Sequence, residues 1–312
     1  MNNKVIFLFG PTAVGKTQLL FDFFRGTGEV VNADSVQVYR HLDIGSAKAG
    51  RDITDSIPHH LIDILDPWET YNVADFIRLA DEACRGIWER GRIPVVSGGT
   101  AFYFKHFMYG LSQAPASDPE TREAVDLYIR DQGLDKAYEY LKMIDPVSAA
   151  RINRNDSYRI SRAIEVFRSC GRPLSDFALP TVPRNDMQVL SIGLMRDREV
   201  LKERIRRRVD IMFGQGIVSE IRGLLGMGAD LSWQSMQGIG YREFLEKAST
   251  PAQLDNLGPS DLEEIRNAIC SNSIHYAKRQ MTFFRSFADV NWIEADDKQT
   301  IGSTIRAFLD QR

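Results

Sequence analysis

Residues 10 to 17 read Gly-Pro-Thr-Ala-Val-Gly-Lys-Thr and follow directly on the apolar run Val5-Ile6-Phe7-Leu8-Phe9. This is the full G-x-x-x-x-G-K-[ST] pattern in the strand–turn–helix setting that its chemistry requires. Gly10 and Gly15 allow the backbone to curl so that its N–H groups converge on an anion, and the helix that follows adds its partial positive charge. The loop Gly10, Pro11, Thr12, Ala13, Val14, Gly15, Lys16 and Thr17 is therefore a candidate cradle for a di- or triphosphate. Lys16 would reach the terminal phosphate, and the Thr17 hydroxyl suits Mg²⁺. The pattern does not say what carries the phosphates.

Two further strand ends bear on that question. In NADSVQVYR (32–40), Asp34 falls at the C-terminal end of a strand, the edge that lines the ligand crevice of an open α/β sheet. A carboxylate there could be a general base or a Mg²⁺ ligand, and a turn cap is an equal competitor. In SGGT (97–100), two glycines permit close backbone approach and Thr100 presents a hydroxyl. A plain strand-to-helix turn would look the same when taken alone. Together the three segments make a phosphate pocket with a candidate base and a candidate donor.

Basic residues are gathered rather than spread. Arg151, Arg154, Arg159, Arg162, Arg168 and Arg172 fall between residues 151 and 172, where the only acids are Asp156 and Glu165, and a second group runs from Arg196 to Arg208. For both, a solvated helix face is at least as good a reading as a binding site. The segment HYAKRQMTFFRSF (275–287) interleaves Lys278, Arg279 and Arg285 with aromatic residues, a mixture suited to unpaired nucleic acid, where bases stack and phosphates pair. His59 and His60 are adjacent and point to opposite faces of a strand, so packing or local hydrogen bonding is expected of them rather than a metal.

These groups need a frame to position them. Apolar runs at 5–9, 30–34 and 92–99, separated by helical segments at 16–24 and 73–88, predict a parallel sheet covered on both faces. Prolines and small polar residues at 112–120 and 180–186 mark breaks around a purely helical stretch, with Asp118 and Asp156 as helix starts. Strand character resumes at 187–194, then helices at about 196–212 and 261–287, a strand at 290–295 and a final helix. Ser260 with Glu263 predicts a capping box for the long helix. The expected architecture is a P-loop-type α/β sheet with helices on both faces, formed by 1–111 and 183–312 and interrupted by a helical insertion domain at 112–182. The 312 residues suffice for such a core, 43% hydrophobic and 26% charged content is ordinary for a globular protein, and a net charge of −3 requires any polyanion to bind one face. Three scattered cysteines with no Cys/His spacing exclude a zinc framework, and no segment is apolar and long enough for a leader or a membrane span. A cytoplasmic monomer is expected.

The segments GPTAVGKT, NADSVQVYRHLDIGSAKAG, PHHLID, GGTAFYFK, DPVSAARINRNDSYRISRAIEV, GIGYRE and AKRQMTFFR occur here in the order in which they occur in the tRNA dimethylallyltransferases (tRNA isopentenyltransferases), which this chain resembles from about residue 5 to 293. Ala101 stands where the family often has glycine, and the zinc-finger extension of eukaryotic relatives is missing, so a bacterial-type enzyme is implied. The resemblance implies transfer of a dimethylallyl group from dimethylallyl diphosphate to N6 of adenosine 37 beside the anticodon. It implies Asp34 as the base, Thr100 as a donor to the bridging oxygen, and Lys16, Arg208 and Mg²⁺ on the departing diphosphate. Contacts to the anticodon stem-loop are implied for Asp34, Ser35, Val36 and Gln37, for Tyr158, Arg159, Ile160, Ser161 and Arg162, for Gln237, Gly238, Ile239, Gly240, Tyr241 and Arg242, and for Lys278, Arg279, Gln280 and Arg285. The helical insertion is expected to close on the RNA. An isopentenyltransferase acting on free adenine nucleotides, an ATP-dependent small-molecule kinase and a non-enzymatic RNA-binding P-loop protein remain the alternatives.

Overall fold

The computed structural model describes residues 3–177 and 180–311. Met1, Asn2, Ala178, Leu179 and Arg312, which fall in the expected domain spans, lie outside the described residues. The chain divides into two compact units, one formed by Met1–Phe107 with Asn185–Arg312 and the other by Met108–Arg184.

The larger unit is built on six parallel strands: β1 (Lys4–Phe9), β2 (Gly28–Asn32), β3 (His59–His60), β4 (Ile93–Gly98), β5 (Gln188–Met195) and β6 (Val290–Glu294). They lie in the order β3-β2-β4-β1-β5-β6. Every residue of β1 and β2 is buried, which is why these strands read as continuous apolar runs rather than alternating ones. Because β4 lies between β1 and β2, the chain segments that leave these three strands emerge side by side on one edge. There the backbones touch: Ala33 N–H donates to Ser97 O at 2.8 Å and Thr100 N–H to Ala33 O at 3.1 Å. Gly98 makes that approach possible, since a Cβ at this position would sit 2.2 Å from Ala33 O.

Helix Lys16–Phe24 packs Leu19, Leu20 and Phe24 against the sheet. Helix Val73–Glu89 opens with a reciprocal cap in which Asn72 accepts from Asp75 N–H and Asp75 from Asn72 N–H. The long helix runs from Pro259 to Phe284, and its cap is not the expected Ser260–Glu263 box. Asp261 accepts from Gly258 N–H at 2.9 Å, because Pro259 fits the first helical position and so places the cap two residues earlier. At the opposite end of the same helix, Phe284 stacks on Phe9 with centroids 4.5 Å apart, pinning the helix to the strand that feeds the glycine-rich loop.

The smaller unit is helical. Helices Pro119–Gln132, Leu134–Ile144 and Ser157–Cys170 enclose a core of Val125, Ala137, Leu141, Ala149, Ile160, Ala163 and Ile164. Asp118 and Asp156 cap their helices as expected, accepting from Thr121 and Arg159 N–H, and Gly171 ends the third helix in the left-handed region.

Phe9 carries much of the packing beneath the glycine-rich loop. Replacing it by alanine should cost about 3–5 kcal/mol, and by leucine clearly less. The midpoints of urea unfolding of the two variants check this, and an alanine variant within 1 kcal/mol of the parent would contradict it.

Candidate active site

The glycine-rich loop leaves β1 and turns into helix Lys16–Phe24 at Gly15, whose φ of 116° lies where glycine is favoured. The amides that open this helix have no carbonyl behind them, the arrangement that binds anions. Lys16 folds back and donates to the carbonyls of Gly10 and Pro11 at 3.0 and 3.1 Å. Three arginines brace the loop. Arg208 donates to Thr12 Oγ1 at 3.0 Å, Arg204 to Ala13 O at 2.8 Å and Arg196 to Val14 O at 3.2 Å. Ala13 is a non-glycine residue with φ of 62°, a strained conformation that the Arg204 contact helps to hold. Sequence reasoning singled out Arg208 alone among these three roles.

Asp34 leaves β2 with one carboxylate oxygen committed. Oδ1 accepts from Val36 N–H at 2.9 Å and Gln37 N–H at 3.3 Å, while no described protein donor reaches Oδ2. Turn capping and catalysis are thus compatible, with one oxygen for each. Thr100 Oγ1 accepts from Ser35 N–H at 3.1 Å, with Ser35 Oγ 3.5 Å away and the Tyr276 hydroxyl as a further hydrogen-bonding neighbour.

Two cavities open here. One, of about 430 Å³, is lined by the glycine-rich loop, Lys16, Thr17, Gln37, Gly99 and the apolar Leu20, Val30, Ile53 and Ile62. The other, of about 300 Å³, is lined by Ser35, Val36, Gly45, Ser46, Val209, Met212, Gln237, Gly238, Ile239 and Arg279. Thr12, Asp34, Arg208 and Tyr276 line both. Both volumes are in the range of small-molecule sites.

The electrostatics favour an anion. Burial, and secondarily the Arg208 charge, pull the Lys16 ammonium down to about 8, and burial also lowers Arg208. Asp34 opposes both shifts but is one negative charge against two positive ones. The Tyr276 phenol is pushed up to about 12 by burial and by the Asp34 charge, so it stays protonated. The metal donor set is thin. Thr17 offers a hydroxyl in the first cavity, and no cluster of three or more His, Cys, Asp or Glu suited to a metal occurs among the described residues. Mg²⁺ fits such a site only when phosphate oxygens complete its shell.

Several residues expected to touch RNA lie inside instead. Ile160 belongs to the core of the helical unit, because it is on the apolar stripe of its helix. Ser161 is buried and donates to Glu165 Oε1 at 2.8 Å, and Arg162 turns its guanidinium to Pro115 O and Ser117 Oγ. Tyr241 is fully buried; its hydroxyl donates to Glu220 Oε1 at 2.8 Å and accepts from Ser46 N–H at 3.0 Å. Gly240 is buried with its N–H on Glu243. Gln280 is 4% exposed and bridges Thr12 N–H and Gly99 O. By contrast Tyr158, Arg159, Gln237, Arg242, Lys278, Arg279 and Arg285 are exposed. His59 and His60 are held locally, by Ile57 O and by the buried Glu29 carboxylate.

Glu220 was not legible as a site residue. Its carboxylate accepts from the N–H groups of Asp43, Ile44 and Gly45 at 3.0, 2.7 and 3.0 Å, fixing the loop that supplies Gly45 and Ser46 to the second cavity. A glutamate set among Ile217, Ile221 and Leu224 gives no local sign of that distant loop.

A family model described as IPP transferase matches residues 37–287. The chain is 42% identical over 295 residues to the tRNA dimethylallyltransferase of Borrelia turicatae, covering 95% of each chain. The solved tRNA isopentenylpyrophosphate transferase of Bacillus halodurans is similar over 99% of this chain and 97% of its own, with a TM-score of 0.69 and 35% identity. A eukaryotic dimethylallyltransferase solved while acting on tRNA is similar over 98% of this chain and 77% of its own, with a TM-score of 0.79 and 26% identity. A family match that spans most of the residues framing both cavities, joined by relatives aligned almost end to end, leads to one conclusion: the chain belongs to the IPP transferase family.

Proposed function

We propose that this protein transfers a dimethylallyl group from dimethylallyl diphosphate to N6 of adenosine 37 in tRNA, releasing diphosphate. The observation that carries this reading is the meeting of two cavities at Asp34, Thr12, Arg208 and Tyr276, one floored by the phosphate loop and the other touching that loop only at Thr12. Two substrates can then approach a single carboxylate from opposite sides. The family relatives act on tRNA by name, and the exposed Lys278, Arg279 and Arg285 offer charge for a phosphate backbone.

The target amine enters the second cavity as a flipped base. Its lone pair is delocalised into the ring, so it attacks well only as its proton leaves. Asp34 Oδ2 accepts that proton while the C1–N6 bond forms. The C1–O bond breaks with its electron pair going to the diphosphate, whose bridging oxygen receives the Thr100 proton as a hydrogen bond. Loop amides, Lys16 and Arg208 hold the growing charge. Thr17 and the diphosphate together would hold Mg²⁺, which neutralises phosphate charge when bound. Leu20, Val30, Ile53 and Ile62 give the first cavity an apolar wall suited to the prenyl methyls. In RNA binding, Ser35, Val36, Gln237, Gly238 and Ile239 would surround the base, while Tyr158, Arg159 and Arg242 contact the surrounding stem-loop.

Asp34→Asn should lower single-turnover transfer at least a hundredfold while tRNA binding, read by filter retention, changes less than about threefold. Thr100→Val should lose about a hundredfold, equivalent to about 3 kcal/mol of barrier. Near-normal turnover in Asp34→Asn would reject the base assignment.

Lys16 gives a pH signature. Its folded pKa of about 8 lies below the 10.5 of the free side chain, so between these values the unfolded chain binds more protons and stability rises with pH. Bound diphosphate opposes the depression, so its affinity should fall as pH rises past 8. Calorimetric titrations of diphosphate into the wild type and Lys16→Arg should show a steeper fall for the wild type. Parallel curves would contradict the assignment.

A further inference from the structure

One buried side chain joins the two functional walls of the crevice. Gln280 lies on the inner face of the long helix, one turn before Phe284 and one turn after Tyr276. Its Oε1 accepts from Thr12 N–H at 2.9 Å and its Nε2 donates to Gly99 O at 2.7 Å. The amide orientation is unambiguous, because an N–H can meet only the oxygen and a carbonyl only the nitrogen. A Cβ at Gly99 would lie 2.5 Å from Nε2, so the turn is shaped to receive this amide. Packing alone does not call for it, since Phe284 on Phe9 already anchors the helix and an apolar side chain of equal volume would fill the space.

The bonds continue outward on both sides. Thr12 Oγ1 takes the Arg208 guanidinium, and Gly99 leads directly into Thr100, whose oxygen holds Ser35 N–H beside Asp34. The charge stabiliser, the hydroxyl donor and the carboxylate are thus tied into one chain of contacts whose middle link is the Gln280 amide.

We propose that Gln280 is a positioning residue for group transfer. It fixes the separation between the phosphate loop and the Gly99–Thr100 turn, and with it the placement of Arg208 and Thr100 on the same leaving group. The inference rests on the proposed transferase reading. Its role is internal, so it is distinct from RNA contact by the neighbouring Lys278 and Arg279. A misplacement of about 1 Å at such a site can cost a hundredfold in rate.

Gln280→Met keeps the volume and removes both hydrogen bonds. Its kcat for prenyl transfer should fall about tenfold or more, with KM for tRNA within about twofold of the wild type. Gln280→Glu keeps the acceptor for Thr12 N–H, but it can donate to Gly99 O only when protonated. The ratio of its turnover to that of the wild type should therefore climb as pH falls, which a merely structural role would not produce. That ratio decides the matter if the methionine variant fails to fold. Wild-type kcat in Gln280→Met, a loss confined to tRNA KM, or a flat ratio for Gln280→Glu would each overturn the proposal. Inorganic diphosphate titrated with Mg²⁺ into wild type and Gln280→Met separates this from the function itself. Weakened diphosphate binding in the variant, beside a wild type that transfers no prenyl group, would remove the prenyl donor and leave the positioning role standing. Equal diphosphate affinity in that circumstance would remove both.

Discussion

The placement of β4 between β1 and β2 is the constraint on which the site depends. Parallel strands direct all their C-terminal ends to one edge, but only neighbouring strands bring their loops within hydrogen-bond reach. With β4 in the middle, the phosphate loop, the Asp34 turn and the Gly99–Thr100 turn become adjacent, and Ala33 bonds to both Ser97 and Thr100. The long helix then crosses this edge and closes it from above with Tyr276 and Gln280. Residues far away in sequence, Arg204 and Arg208 as well as Tyr276 and Gln280, thereby join a pocket whose remaining walls lie within the first hundred residues.

The charge balance follows from this enclosure. Lys16 and Arg208 are drawn out of water together, and each loses some of its hold on its proton or charge as a result. Folding leaves a site that is poorly satisfied until an anion fills it. This is the condition under which developing negative charge on a leaving group is stabilised most strongly, since the donors are fixed beforehand. The three arginines on successive loop residues, Arg208 on Thr12, Arg204 on Ala13 and Arg196 on Val14, add rigidity to the loop.

Much of this was legible in the residues themselves. The glycine-rich loop, the helix starts at Asp118 and Asp156 and the buried character of β1 and β2 are local signals, and the structure carries them at the expected positions. What was not legible depends on contacts between distant segments. Gln280, Glu220 and Arg204 act on loops 175 or more residues away. A motif shared with a family also marks a stretch without saying which of its residues face outward. Tyr241, Ile160 and Gln280 sit in such stretches and point inward, whereas Arg242, Arg159 and Arg279 point out. The early cap at Gly258 is a case of two adjacent local signals, where Pro259 decided between them.

The most direct measurement is mass spectrometry of nucleosides from unmodified tRNA incubated with the protein, Mg²⁺ and dimethylallyl diphosphate, beside reactions that offer free adenosine monophosphate with the same donor, or ATP with the tRNA. Prenylation at N6 of adenosine 37, in the tRNA reaction alone, is the predicted result. Prenylation of the free nucleotide, or consumption of ATP with no prenyl transfer, would contradict the account.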